Sequence, residues 1–415
     1  MKFTIFFCIL FYLACDSHHE TREKTAIVAQ PKTQAPIIEK KNTLITGPEI
    51  TTIPKDHPLP KKTVLSRDAS APFTARNLDF SMTFFKHLSQ SEKSNFIFSP
   101  ITLAKNMALM HAGAEGESKK EIENVMHFDF SDEDAFYAYF GGRKFSWTKR
   151  KALLDNINIF VPQELQLKLR ARKILGDFLH ESIHATPFSD PEKAHASINS
   201  FGGIGDTEPL LAPKTLAQHA QLVFSSSLYY HGAYTNYRGL ANDKGFMKRQ
   251  TPRIAYAKVD GVIAIELESD GKVLFILMPK DFQNFEEKTL NAAFVRSVKI
   301  QLKSKEVNLS MEGFKVHTQG NVVPLFHAMG IKKAFSDKAD FSALSYEALK
   351  VDAILHQNDF SFSVDLRPEM FKRKFNLKID KPFFFMLEDK EEGTLFFMGA
   401  IKDLKGAATP ALPSR

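Results

Sequence analysis

The sequence predicts an α+β fold, and three observations carry that reading. Apolar side chains recur at spacings of three and four through residues 77–88 and cover nearly every face of 101–110, as an amphipathic helix and a buried helix require. They alternate with a period of two in 263–277 and again in 360–364, as strands with one face on a core require. Hydrophobic residues make up 43% of the 415-residue chain, enough to bury a large core around both kinds of element.

Composition removes several function classes. Lys+Arg 55 against Asp+Glu 48 gives a formal charge of +7. The excess is mild and dispersed, without the basic stripe or module that phosphate recognition needs, so no nucleic-acid partner is expected. The two cysteines, Cys8 and Cys15, stand at the start of the chain. The remainder can hold neither a disulfide framework nor a thiolate zinc site, and its stability must come from packing.

Lys2 is followed by the apolar run Phe3 to Ala14, too short to span a bilayer as a mature helix, so 1–14 reads as a removable export signal. Leu13-Ala14-Cys15 resembles a bacterial lipobox, with Tyr12 where that motif usually has Leu. In that reading Cys15 is acylated, becomes the new N-terminus and anchors a cell-surface or periplasmic lipoprotein. The alternatives are an ordinary secreted, extracellular protein and a weak signal anchor. Residues 15–72 read as a tether, because Pro31, Pro36, Pro48, Pro54, Pro58, Pro60 and Pro72 favour polyproline II and oppose helix or central strand. His18, His19 and Glu20 read as solvated linker side chains, since nothing fixes a metal geometry around them.

After Pro72 the pattern changes. Leu78, Met82, Phe85 and Leu88 share one helical face, and Phe96-Ile97-Phe98 reads as a short buried strand. Ser99 is placed to cap a helix whose first residue is Pro100, where a missing N–H costs nothing. Ile101, Leu103, Met107 and Leu109 make that helix apolar nearly all round, and Gly113 and Gly116 end it. Ser118 with Glu121 predicts a capping box for a helix burying Ile122, Val125 and Met126.

Asn95, Phe98, Ser99, Pro100, Gly113, Ala114, Gly116, Glu117 and Ile122 match the N-terminal signature of the serpin family residue by residue. The family's later blocks follow in order: Ile198-Asn199 with 222–232, then 247–281, 311–345, 349–357 and 379–401. Residues 73–404 therefore resemble a serpin domain, with 405–415 as a flexible tail. The resemblance implies a large central mixed β-sheet with smaller sheets and about nine helices, a fold that does not by itself fix activity. It also implies a monomer that is not an enzyme and needs no cofactor or metal. Its activity would be protease inhibition, in which a protease cuts an exposed reactive loop and insertion of that loop into the sheet traps the protease.

By the same resemblance, sheet opening depends on a polar cluster at Ser99, Thr102, Ser226 and His356. Thr102 replaces the usual Ser and Ser226 the usual Asn, so the double donor of an Asn amide is missing. Tyr234 stands where the family usually has Trp.

The loop departs further. Phe360, Phe362 and Val364 alternate inward, Leu366 falls where the family has Gly, and Arg367, Glu369, Phe371 and Arg373 are expected at inward-facing positions. Inserting them would bury three unpaired charges and an overlarge ring. Pro368 removes a ladder N–H. Residues 365–381 alone separate Val364 from Pro382, roughly nine fewer than the family spacing, whereas an inserted strand of about 12 residues spans ~40 Å. Lys372-Arg373-Lys374 reads as a solvated charge cluster or as a contact for an acidic partner or polyanion.

Other chemistry is weak. There is no G-x-S-x-G, C-x-x-C or P-loop, and Ser225 to Ser227 lie on a strand with no acid or base beside them in sequence. The reading is an exported, membrane-anchored, non-inhibitory serpin-family protein that binds a protein partner. The alternative is an endopeptidase inhibitor that acts on trypsin-like proteases through residues 365–378.

Overall fold

The computed structural model describes residues 59, 65–128, 130–141, 153–179, 181–203, 209–212, 215–216, 219–235, 239–241, 247–249, 253–366 and 375–407. The chain divides into units 1–39 and 40–415, and every described residue belongs to the second. Cys8, Cys15 and the tether histidines lie outside the described residues, as do Arg367, Pro368, Glu369, Phe371, Lys372, Arg373 and Lys374.

Helix α1 spans Arg67–Ser91 and begins well before Asn77. Ser66 starts it, its Oγ accepting from the Ala69 N–H at 3.2 Å. Pro72 lies inside this helix, which moves the end of the tether back from residue 72. A proline beyond the first turn forfeits one backbone hydrogen bond. The ring of the next residue offsets that loss, since buried Phe73 stacks on Tyr139 at 5.1 Å and on Phe128 at 5.9 Å. The deep face of α1 carries Phe80, Phe84 and Phe85, while Leu78 and Leu88 are only partly buried.

Strand β1 (Phe96–Phe98) leads through Ser99 into α2 (Pro100–Gly113), and Ser99 caps the helix with Pro100 as its first residue. Every residue of α2 is buried. Helix α3 (Gly116–Met126) lacks the expected capping box. Ser118 Oγ instead accepts from the Asp340 N–H, and Glu121 accepts from the N–H groups of Lys332 and Lys333, so both side chains tie α3 to a distant turn.

There follow α4 (Glu133–Gly141), β2 (Leu153–Pro162), α5 (Leu169–Lys173), β3 (Ser182–Thr186), α6 (Pro191–Gly202) and β4 (Leu222–Thr235). The next segment holds β5 (Gly239–Ala241), β6 (Met247–Arg249), β7 (Arg253–Val259), β8 (Val262–Ser269), β9 (Lys272–Met278), α7 (Phe282–Lys288) and α8 (Ala292–Lys299). The last part contains β10 (Lys303–Glu306), β11 (Asn308–Met311), β12 (Phe314–Asn321), α9 (Val323–Met329), β13 (Val351–Asp365), β14 (Asn376–Ile379), β15 (Phe383–Asp389) and β16 (Leu395–Ile401). Nine α-helices among the described residues agree with the expectation.

Two sheets organise the domain. A five-stranded mixed sheet has the order β12-β13-β4-β2-β3, and a seven-stranded antiparallel sheet has the order β1-β16-β15-β9-β8-β7-β10. They meet through aromatic rings: Phe360 of β13 lies 5.2 Å from Phe385 and 5.4 Å from Phe397. Helix α2 packs against both β4 and β16. Gly399 permits the close pairing of β16 with β1, because a Cβ there would collide with the Phe96 carbonyl oxygen.

Candidate functional site

Strands β4 and β13 are parallel neighbours from Val351 opposite Leu222 to Asp365 opposite Thr235. A loop that leaves β13 and turns back would run antiparallel to it, and the parallel seam between β4 and β13 is where such a strand would enter; both its faces are polar near mid-height.

On the face turned toward α2, His356 is buried. Its Nε2 accepts from the Ser99 backbone N–H at 3.1 Å, which leaves Nδ1 to donate to Ser226 Oγ at 2.8 Å. Burial pushes the imidazole pKa down to about 3, so the ring stays neutral and bridges the helix cap to β4. Asn106, one turn beyond Thr102, donates its Nδ2 to Ser226 Oγ at 2.9 Å. The amide donor missing at Ser226 is therefore supplied by the helix. Asn106 went unnoticed in the sequence, although a carboxamide inside a helix that is apolar nearly all round signals a buried partner. The price is an Asn106 Oδ1 that is buried without a hydrogen bond. Thr102 sits at one remove, bonded to Ser99 through its own N–H and Oγ1 at 3.4 Å each.

The opposite face carries a polar row that sequence reasoning missed. His184 Nε2 lies 2.9 Å from Asn158 Oδ1, and Asn158 Nδ2 donates to Asn156 Oδ1 at 3.1 Å and to the Phe201 carbonyl at 3.0 Å. Asn156 donates to the Gly203 carbonyl at 3.0 Å, and Ser227 Oγ to the Gly202 carbonyl at 2.7 Å. Gln357 continues the row by donating to Gln319 at 3.0 Å. These side chains clamp the C-terminal end of α6 onto β2 and β4, and the His184 ring stacks on Phe160 at 5.1 Å and on Phe201 at 4.2 Å. The signal available in sequence was the period-two recurrence of small polar residues at 156/158 and 225/227. Across the seam, the front face offers a 3.5 Å contact between Ser227 and Gln357, against the 2.8 Å bond from Ser226 to His356 behind it.

Tyr234 is a buried residue of the main core, packed rather than exposed at the sheet's end.

Above the seam, β13 ends at Asp365 and β14 begins at Asn376. Leu366 packs partly buried against the core. Phe375, at the other foot, sets its ring against Tyr256 at 5.3 Å and lies under the Lys305 ammonium at 3.5 Å. The described end of β13 sets the phase that an inserted loop would have to continue. Phe360 and Phe362 are buried while Ser361 and Ser363 are half-exposed, so an insertion that kept this alternation would turn Leu366, Pro368, Met370, Lys372 and Lys374 inward. Arg367, Glu369, Phe371 and Arg373 are one residue out of phase with that face. Insertion in register would thus bury two lysines and a proline rather than three charges and a phenylalanine.

The family model for serpins, described as serine protease inhibitors, matches residues 75–404. The chain belongs to the serpin family. An uncharacterized serpin-like protein, TK1782 of Thermococcus kodakarensis, is 25% identical over 84% of this chain and 89% of its own length. A tumour suppressing serpin of known structure is similar with a TM-score of 0.71 at 22% identity, covering 81% of this chain and 100% of that one. Human thyroxine-binding globulin, solved as a complex with thyroxine, is similar with a TM-score of 0.68 at 16% identity, covering 80% and 98%. Both structures share the fold of this serpin, and the expected serpin architecture is the one observed. Members of the family inhibit proteases, and some do not.

Proposed function

We propose that this serpin is an exported, lipid-anchored binding module whose partner is a protein engaged through its loop, and that it does not trap proteases by loop insertion. The observation that supports this reading is the length of the link. Ten residues, Leu366–Phe375, join β13 to β14, and both feet of that link are packed. Strand β4, beside which an inserted strand would lie, has 14 residues, or ~46 Å at about 3.3 Å per residue. An uncut link reaches at most ~33 Å and is held at both ends. A cut at Lys374 would free nine residues, some of them spent on the turn back into the sheet, too few to fill the seam.

A second reading has support of its own. The intact seam with its His356 cluster is the arrangement an inhibitory serpin needs before cleavage, and Lys372, Arg373 and Lys374 offer trypsin-like enzymes a target. Incubation with a panel of serine and cysteine proteases separates the two. Cleaved product without a denaturant-resistant complex on a gel supports the binding module, and a covalent complex supports inhibition. Anchoring has its own test: Cys15→Ser should move the protein out of the membrane fraction, and unchanged partitioning would assign retention to an uncleaved signal segment.

A further inference from the structure

A cavity of about 500 Å³ opens between the Leu366 foot of the loop and the far end of β14. Its floor consists of Leu309, Met311, Phe314, Phe383 and Ile401, all at least nine-tenths buried, with the rings of Phe314 and Phe383 edge to face at 5.4 Å. Leu366 lines it where the chain leaves β13, and Lys378 and Asp380 line it where the chain has returned through β14. Leu404 and Ala407 of the C-terminal turn close another side. The size suits one small organic molecule and is ample for a single aromatic ring system with a short arm.

Among the described residues, the charges around this cavity are not balanced. Lys378 pairs with Asp380 at 3.1 Å, so its charge is already matched at the rim. Glu312 lines the same cavity, is exposed, and has no ion pair or hydrogen bond with another described residue. An apolar floor beneath one uncompensated carboxylate favours a ligand that buries hydrocarbon and keeps a positive charge at the mouth, where a charge-assisted hydrogen bond can form.

We propose that this cavity is a binding site for a small organic cation with an apolar body, of the aryl-alkyl-amine class, seated between Leu366 and the end of β14. The site stands apart from the question of inhibition: a covalent protease complex would overturn the non-inhibitory reading and leave ligand binding here unchanged. The test is a titration of the full-length protein with tryptamine and, separately, with indole-3-propionate, which carries the opposite charge on a similar body. Wild type should show saturable one-site binding of tryptamine and weaker binding of the acid. Glu312→Gln, a change at an exposed side chain, should weaken tryptamine binding by about fivefold or more. Leu404→Trp should fill the cavity and abolish saturation, with an unchanged melting temperature showing that the fold is intact. Absence of saturable binding to wild type, equal affinity for the two probes, or wild-type affinity in either folded variant would overturn the proposal.

Discussion

The middle of β13 and the link that follows it make opposite use of the same sheet. At mid-height, His356 and Ser226 hold the seam from behind, Ser99 and Asn106 brace them from α2, and the row from His184 to Gln319 crosses the front. Ten residues later the chain has already reached β14, leaving too little length to exploit an opened seam. The buried cluster is constrained by packing, because a buried polar atom that loses its partner is costly wherever the fold is kept. A loop outside the packed core carries no such constraint, so a serpin domain can keep its sheet and lose the strand that would enter it.

The largest break in this comparison is expected at His356. His356→Ala leaves the Ser99 N–H without its partner and Ser226 Oγ with Asn106 alone inside the core, and about 3 kcal/mol of unfolding free energy should be lost in a urea titration. An unchanged midpoint would show that the cluster is not what holds the seam. The same residue gives a signed pH dependence. Its folded pKa, about 3, lies below the ordinary histidine value, so between roughly pH 6.5 and 3 the unfolded chain binds the extra proton. Its contribution is fully present above pH 6.5 and falls as pH drops, by up to about 1.4 kcal/mol per unit. Wild type should therefore lose stability over that window more steeply than His356→Gln, and parallel curves would contradict a neutral, wholly buried ring.

On the front face, Asn158→Ala removes donors to the Phe201 carbonyl and to Asn156. It should cost about 1–2 kcal/mol and raise amide exchange at the end of α6 before the rest of the sheet. Equal exchange throughout would mean that the row does not clamp the helix. The smallest effect belongs to the link. Replacing Lys372, Arg373 and Lys374 with Ala should shift stability by no more than about 0.5 kcal/mol, yet weaken binding to an acidic partner or a heparin column. Full retention on the column at low salt would remove the partner role of these three residues.

Much of this was legible in the sequence where local chemistry and burial agree. Ser99 and Pro100 announce their helix start, the apolar run after them announces burial on all sides, and His356 with Ser226 lies where the family pattern puts them. What escaped depends on contacts between distant segments. Pro72 reads as a helix breaker until Phe73 is seen against Tyr139 and Phe128. Ser118 and Glu121 have capping-box spacing, but the 332–340 turn competes for both side chains. Asn106 and Asn158 gain meaning only when α2 and α6 are laid on opposite faces of the sheet. The phase of the loop was misread because one residue of slip exchanges every inward and outward position.

The central claim is that the link cannot become a full strand of the sheet, and the melting temperature before and after a single cut in the link tests it most directly. The account predicts that protein cleaved after Lys372, Arg373 or Lys374 melts within about 2 °C of intact protein. A rise of tens of degrees on cleavage would mean that the loop had entered the seam between β4 and β13, and would contradict the account.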